Sequence, residues 1–182
     1  DYSLRHQNYN VDDSKIIYRD QRTELQTEWT PNAQTTVRGR VYYIGRDRDY
    51  RNAENYTWQP ESGLIERSAY TEIEHDQSQI GARADAAFRG QLFSLQNQVS
   101  VGAEINRSKL THTNNSPYGG TSLVDPYDVD HGQFINEAGT SPRYRNTATQ
   151  YALFAEDRLM LTERWSVLGG LRYDHIDLQR ED

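Results

Sequence analysis

Two segments with histidines and carboxylates are where this sequence could carry chemistry. His75, Asp76 and His131 offer groups that could transfer protons in an active site. No serine or threonine stands near them in the setting of a nucleophile, so catalysis is not favoured. The run Asp125–His131 contains three carboxylates and an imidazole, which could bind a hard cation. It lacks the glycine-turned spacing of an EF-hand, and a solvated acidic loop is the preferred interpretation.

Composition limits the class of protein. The chain has 182 residues, of which 35% are hydrophobic, and a net charge of −7, which argues against nucleic acid as a partner. There is no cysteine, so disulfides and thiolate metal sites are excluded. No apolar run approaches the roughly 20 residues that a membrane helix needs. Because the chain begins at Asp1 without a methionine, we expect it to be an excerpt of a longer protein.

Alternation with a period of two dominates the chain and predicts β-strands. Near the C-terminus, Trp165, Val167, Gly169, Leu171 and Tyr173 share one face, while charged residues collect on the other. An apolar face of limited height with an aromatic residue at each end suits lipid. The sequence therefore predicts a strand of a transmembrane β-barrel.

The connections between predicted strands fall into two classes. The predicted strands cover about residues 2–9, 15–29, 34–48, 65–88 and 92–112, and residues 148–177 form two further strands joined by a tight turn. Short turns are expected at 30–33, 89–91 and around 162–163, and longer loops at 10–14, 49–63 and 113–147. Outer-membrane barrels have short turns on the periplasmic side and long loops outside. The fold class predicted is thus all-β, with about seven antiparallel up-and-down strands of such a barrel.

Aromatic residues support this orientation. Trp29, Phe88, Phe93 and Trp165 lie close to the short turns and would form one girdle, while Tyr43, Tyr151 and Tyr173 could form the other.

Asp157 is the exception, since its parity places it facing lipid. It must lie at the periplasmic interface, or a bulge must shift the register. The alternative fold is a soluble β-sandwich, whose strands also alternate but are usually shorter.

Several segments resemble a known family. Tyr151–Asp157, the turn Leu161–Trp165 and Gly169–Asp174 look like the mid-barrel strand pair of TonB-dependent siderophore receptors. The segments Val101–Glu104 and Glu28–Asn32 are similar to other hairpins of that family. The resemblance implies that residues 1–182 are part of a 22-stranded outer-membrane barrel, without the plug domain. It also implies uptake of ferric siderophores, powered through the TonB complex by parts of the protein outside this chain.

This resemblance directs attention to a set of possible ligand contacts. A ferric siderophore brings its own iron ligands, so a receptor needs rings and hydrogen-bond donors rather than a cofactor or a metal site of its own. The candidate surface is formed by arginines of one strand and by aromatic residues expected on two loops: Arg46, Arg48, Tyr50, Tyr56, Trp58, Tyr118, Tyr127 and Tyr144. Alternatively, the arginines pair with carboxylates such as Glu24 and Glu28, and the tyrosines only pack the loops.

Two other functions remain open at this point. A passive porin or another structural barrel would share the aromatic girdles without binding a ligand tightly. An outer-membrane hydrolase would use His75 and His131. Two open sheet edges and a lipid-facing surface also predict that such a piece alone aggregates in water.

Overall fold

The computed structural model describes residues 2–182, and almost all regular structure is β. A 3₁₀ helix at Tyr2–His6 precedes seven strands. The strands are β1 Lys15–Asn32, β2 Thr35–Gln59, β3 Leu64–Leu92, β4 Leu95–Asn114, β5 Thr121–Val124, β6 Ser141–Met160 and β7 Ser166–Glu181. None of the helical segments among these residues has the length and apolar character to cross a membrane.

The strands form one antiparallel sheet in the order β1-β2-β3-β4-β6-β7, and β5 pairs with the start of β3. The all-β, up-and-down prediction is confirmed, and so is the count of seven strands. The predicted strand over residues 2–9 is wrong, because Tyr2–His6 is helical. The short strand β5 takes its place in the count.

The two faces of the sheet differ as the alternation predicts. We call the face carrying Leu25, Val41 and Leu171 the outer face, and the opposite one the lumen face. A sandwich would bury the outer face, but Val101, Val167 and Leu171 are 41%, 55% and 84% exposed. Among the described residues no second sheet covers these side chains, so a sandwich does not describe this sheet.

An uncharged band crosses the outer face of the six long strands. Outer-face positions lack Asp, Glu, Lys and Arg over residues 21–29, 37–45, 78–88, 97–105, 147–155 and 167–175. A tilted transmembrane strand needs about 9–11 residues, which is the length of this apolar band. Charged residues flank it on the side away from the short turns, where Arg19 pairs in register with Asp47.

Aromatic residues mark the short-turn edge of the apolar band. Trp29, Phe88, Phe93 and Trp165 are 66%, 46%, 87% and 72% exposed there. Exposed rings at one end of the strands agree with the predicted girdle.

Asp157 lies just beyond that edge and is not shifted by a bulge. The β4–β6 ladder is regular from Asn97 to His112, so the bulge explanation is wrong. The side chain accepts a hydrogen bond from Nδ2 of Asn97, the polar interruption of the outer face of β4. Asn97 and Asp157 therefore satisfy each other near the short-turn end.

The predicted turn at Arg89–Gln91 is wrong, because β3 continues to Leu92. The chain reverses instead at Phe93 and Ser94, whose φ angles are 51° and 65°. Two successive left-handed residues form the tight hairpin turn that matches strand twist. Neither residue is a usual choice for that conformation, so the sequence contained no signal for it.

The two long predicted loops are also shorter in the structure. Strand β2 runs to Gln59, so only residues 60–63 remain of the loop predicted over 49–63. The loop predicted over 113–147 is reduced by β4, β5 and β6, and we call its residues 115–140 the loop insert. Beyond the apolar band both faces are polar, and alternation no longer indicates the strands.

The loop insert is anchored to β2 and β3 by a small core. Val11, Ala53 and Tyr70 are almost completely buried, and Phe134 and Ile135 of the loop insert pack on them. The Tyr70 and Phe134 rings meet edge-to-face, with centroids 5.4 Å apart.

A buried ion pair supports the same anchor. The Arg51 guanidinium is 2.6 Å from Oε1 of Glu72 and 3.1 Å from Oδ2 of Asp13. Asn136 of the loop insert donates to Oε2 of Glu72 at 2.8 Å. Burial of Glu72, whose side chain is 7% exposed, makes these partners necessary.

Candidate functional site

A row of rings and cations crosses the lumen face above the apolar band. Register pairing places one residue from each of five neighbouring strands opposite the next. We call this the upper lumen row, and it consists of Tyr18, Arg48, His75, His112 and Tyr144.

Ring contacts connect much of the row. The Arg48 guanidinium lies 6.0 Å from the Tyr18 ring centroid and 5.1 Å from that of Tyr50, within cation–π range. The His112 and Tyr144 rings stack at 4.8 Å with 16° between their planes. Arg180 of β7 lies 4.4 Å over the Tyr144 ring and extends the row to the sixth strand.

The arginines of β2 differ in their partners. Arg46 forms a two-point ion pair with Asp20, at 2.7 and 3.1 Å. Among residues 2–182, Arg48 has no ion pair with a carboxylate, and its buried Nε has no hydrogen-bond partner. Arg48 therefore keeps a positive charge that can attract an anion.

Two histidines lie side by side at the centre of the row. His75 Nε2 and His112 Nδ1 are 2.7 Å apart, and the ring centroids are 4.9 Å apart. Burial lowers the pKa of His75, and the neighbouring His112 and Arg48 lower it further. Burial also lowers the pKa of His112, with Arg143 and Arg48 adding to the effect. Both shifts favour the neutral form of the two rings.

The structure brings some predicted residues together. Arg48 and Tyr144 belong to the upper lumen row, and Tyr50 stacks beside Arg48. Tyr118 reaches the row indirectly, since its hydroxyl accepts a hydrogen bond from Asn114, which also contacts His112. Whether any of them contacts a ligand stays a prediction.

Other predicted residues lie elsewhere. Tyr56 and Trp58 are on β2 near the hairpin tip rather than on a loop, with 42% and 52% exposure. Tyr127 is 69% exposed on the loop insert, and Arg46 is engaged by Asp20. Placing Tyr50 and Tyr144 on loops was also wrong, because both are strand residues.

Three residues of this site were not predicted from the sequence. Tyr18, His112 and Arg180 show no motif, and only the register brings them together. A correct hairpin turn at Phe93 and Ser94 would have indicated the histidine pair, because it places His75 opposite His112.

On the part of the lumen face nearer the short turns, some polar side chains pair with each other, as the alternative to ligand binding predicted. Arg38 pairs with Glu28 at 2.9 Å. Tyr42 donates to Glu104 across β3, at 3.4 Å, and the intervening residue is Gly81. A side chain at Gly81 would overlap the Tyr42 ring, so glycine permits this contact.

His131 and the acidic run considered for cation binding make structural contacts in the loop insert, unlike His75, which belongs to the upper lumen row. His131 Nδ1 contacts the main-chain oxygen of Asn10 at 2.9 Å, inside the anchored loop. Asp125 accepts from the amide of Tyr127 at 2.8 Å, and Asp130 from that of Gly132 at 3.1 Å, so both stabilise turns of their own loop.

Three carboxylates meet on the other side of the sheet from the histidines. Asp49, Glu72 and Glu74 lie close enough to share a cation. Lys15 already pairs with Asp49 at 2.5 Å, and Arg51 with Glu72. We therefore interpret the group as an ion-pair network.

Comparison with solved structures identifies the architecture. BauA, the ferric preacinetobactin receptor of Acinetobacter baumannii, superposes with a TM-score of 0.75 at 13% identity over 91% of this chain and 25% of its own. The siderophore receptor PiuA of the same species superposes with a TM-score of 0.73 at 15% identity, over 93% of this chain and 27% of its own. Fiu, the ferric-catecholate import receptor of E. coli K12, superposes with a TM-score of 0.71 at 21% identity, over 96% of this chain and 28% of its own. At these identities the similarity shows the fold, and the chain spans about a quarter of each structure.

Sequence comparison supplies the family. No curated protein sequence matches the chain. The family model for the β-barrel of TonB-dependent receptor-like proteins matches residues 1–182. Together with the antiparallel sheet, the apolar band and the ring of aromatic residues at its edge, this match shows that the chain belongs to the TonB-dependent receptor β-barrel family.

Proposed function

We propose that this chain is part of an outer-membrane receptor that takes up ferric siderophores with energy supplied through TonB. Proteins of this family are receptors and transporters rather than enzymes. A 22-stranded barrel around a plug belongs to the same proposal. The chelate would be the transported ligand, and the protein would need no cofactor.

The upper lumen row supports this proposal most directly. On the polar face beyond the apolar band it combines two imidazoles, two tyrosine rings and an arginine that has no carboxylate partner among residues 2–182. A negatively charged chelate with flat apolar groups would find charge and ring surfaces there. A passive pore has no need for a partly desolvated arginine that lacks an ion pair within the described part of the chain.

Arg48 provides the test, with Arg19 as a matched control. Both arginines lie just beyond the apolar band, but Arg48 is on the lumen face and Arg19 is on the outer face. A hydrogen bond to a charged group contributes about 1.5–3 kcal/mol, so Arg48→Ala should weaken binding about 10- to 140-fold. Arg19→Ala should leave it within about twofold.

The measurement is titration of the full-length protein in detergent with ferric catecholate, hydroxamate and citrate chelates. Fluorescence of Trp58, isolated by comparison with Trp58→Phe, reports binding near the hairpin tip. Uptake of radioactive iron by intact cells tests transport. Absence of saturable binding and of uptake for the whole panel would count against the receptor and in favour of a passive barrel.

A further inference from the structure

The hydrogen bonds around the histidine pair fix its proton positions. Oδ1 of Asn114 accepts from the amide of Ser116 at 3.0 Å and from Nε of Arg143 at 2.8 Å, so Nδ2 is the donor. Nδ2 is 3.0 Å from Nε2 of His112, which must therefore accept. His112 then carries its proton on Nδ1 and donates it to Nε2 of His75.

This arrangement opposes protonation of either imidazole. A second proton on Nε2 of either ring would meet an N–H group that now donates to it, so one hydrogen bond must break. The charged groups facing the pair are also cationic, namely Arg48 of β2 and Arg143 of β6. These two effects and the burial of the rings all disfavour the protonated form.

Carboxylates around the row do not relieve this positive charge. Asp20 is engaged by Arg46, and Asp182 by Arg180 at 2.6 Å. Glu54 accepts a hydrogen bond from the Tyr50 hydroxyl. No carboxylate among the described residues is a cause of the pKa shift of either ring, so a bound anion would be the nearest counter-charge.

We propose that His75 and His112 are specificity-determining residues that take up one proton when a negatively charged ferric chelate occupies the upper lumen row. The anion supplies the counter-charge, one imidazole becomes a cation, and the hydrogen bond that the new proton breaks is replaced by one from a ring N–H to the chelate. Neutral and cationic chelates gain nothing from the pair. The inference rests on the proposed function and deepens it by assigning the charge of the ligand.

The sign of the pH effect follows from proton uptake. A pKa that lies below its usual range in the free protein and rises in the complex makes binding tighter as the pH falls. Uptake of one proton corresponds to at most about a tenfold gain in affinity per pH unit. The gain should develop between about pH 7.5 and 5.5, around the ordinary pKa of histidine.

Calorimetric titration of the full-length receptor with an iron(III) tris-catecholate tests this inference. Heats measured at one pH in buffers of different ionisation enthalpy count the protons taken up. His75→Gln/His112→Gln should take up fewer protons than the native protein. The Kd of the double variant divided by the native Kd should rise at least about threefold from pH 7.5 to 5.5. Protonation of the chelate itself changes both Kd values equally, so it does not affect this ratio.

Tyr144→Leu is the control, since it removes the ring stacked on His112 without removing a titratable imidazole. It should weaken binding by a factor independent of pH. An unchanged proton count in the double variant, or a Kd ratio that does not vary with pH, overturns the inference and leaves the receptor proposal standing. Absence of saturable binding for every chelate overturns both.

Discussion

Replacing Leu171 by arginine measures which solvent the outer face meets. Leu171 is 84% exposed at the middle of the apolar band of β7. Arginine facing lipid at mid-bilayer costs about 2–4 kcal/mol. Since 1.4 kcal/mol is a factor of ten, the ratio of folded to unfolded receptor should fall about 30- to 700-fold.

Leu178→Arg is the matched control on the same strand. Leu178 is 66% exposed on the lumen face and lines an open cavity of about 540 Å³ with Ile44 and Gln77. A long cation there can remain hydrated, so we expect a loss below about 1 kcal/mol.

The assay is urea titration of full-length receptor folded into phosphatidylcholine vesicles. Tryptophan fluorescence and the gel mobility of folded barrel report the midpoint. An equal loss for both variants, or a greater loss for Leu178→Arg, would refute the assignment of the two faces to lipid and lumen.

Three further predictions concern stability. Arg51→Ala leaves Glu72 buried without its cation, which costs about 3–5 kcal/mol locally, so limited proteolysis should cut the loop insert faster, and adding Glu72→Gln should partly restore resistance. Ser94→Gly relieves a left-handed non-glycine residue and should raise the free energy of unfolding by about 0.5–1 kcal/mol in urea titration; a loss would contradict the turn assignment. A double-mutant cycle replacing Asn97 and Asp157 by valine should give a coupling energy of about 1 kcal/mol, whereas additive effects would show that the two side chains do not interact in the membrane.

The faces of the strands were predictable where two different solvents act on them. Leu171 and Arg172 are neighbours in sequence, yet one must suit hydrocarbon and the other the lumen, and this contrast leaves a period of two in the chain. Beyond the apolar band this contrast ends. The polar run from Asp49 to Gln59 therefore looked like a loop although its backbone continues the ladder.

The site was only partly predictable, because its assembly depends on register. A turn centred on Gly90 would have paired His75 with Ile105, a residue of the apolar band on the outer face. The turn at Phe93 and Ser94 places His75 opposite His112. A few residues of turn position therefore separate two isolated histidines from a hydrogen-bonded pair, and side-chain patterns alone do not determine that position.

The length of the β2–β3 hairpin has a consequence for recognition. Residues 46–59 and 64–77 continue the paired strands beyond the apolar band for 14 residues each, or roughly 45 Å. A ladder of this length holds Tyr56 and Trp58 as a preformed template, whereas a mobile loop would lose conformational entropy with every capture. Any molecule that docks on this arm, including an antibody, would therefore meet a stiff epitope whose shape is set before contact.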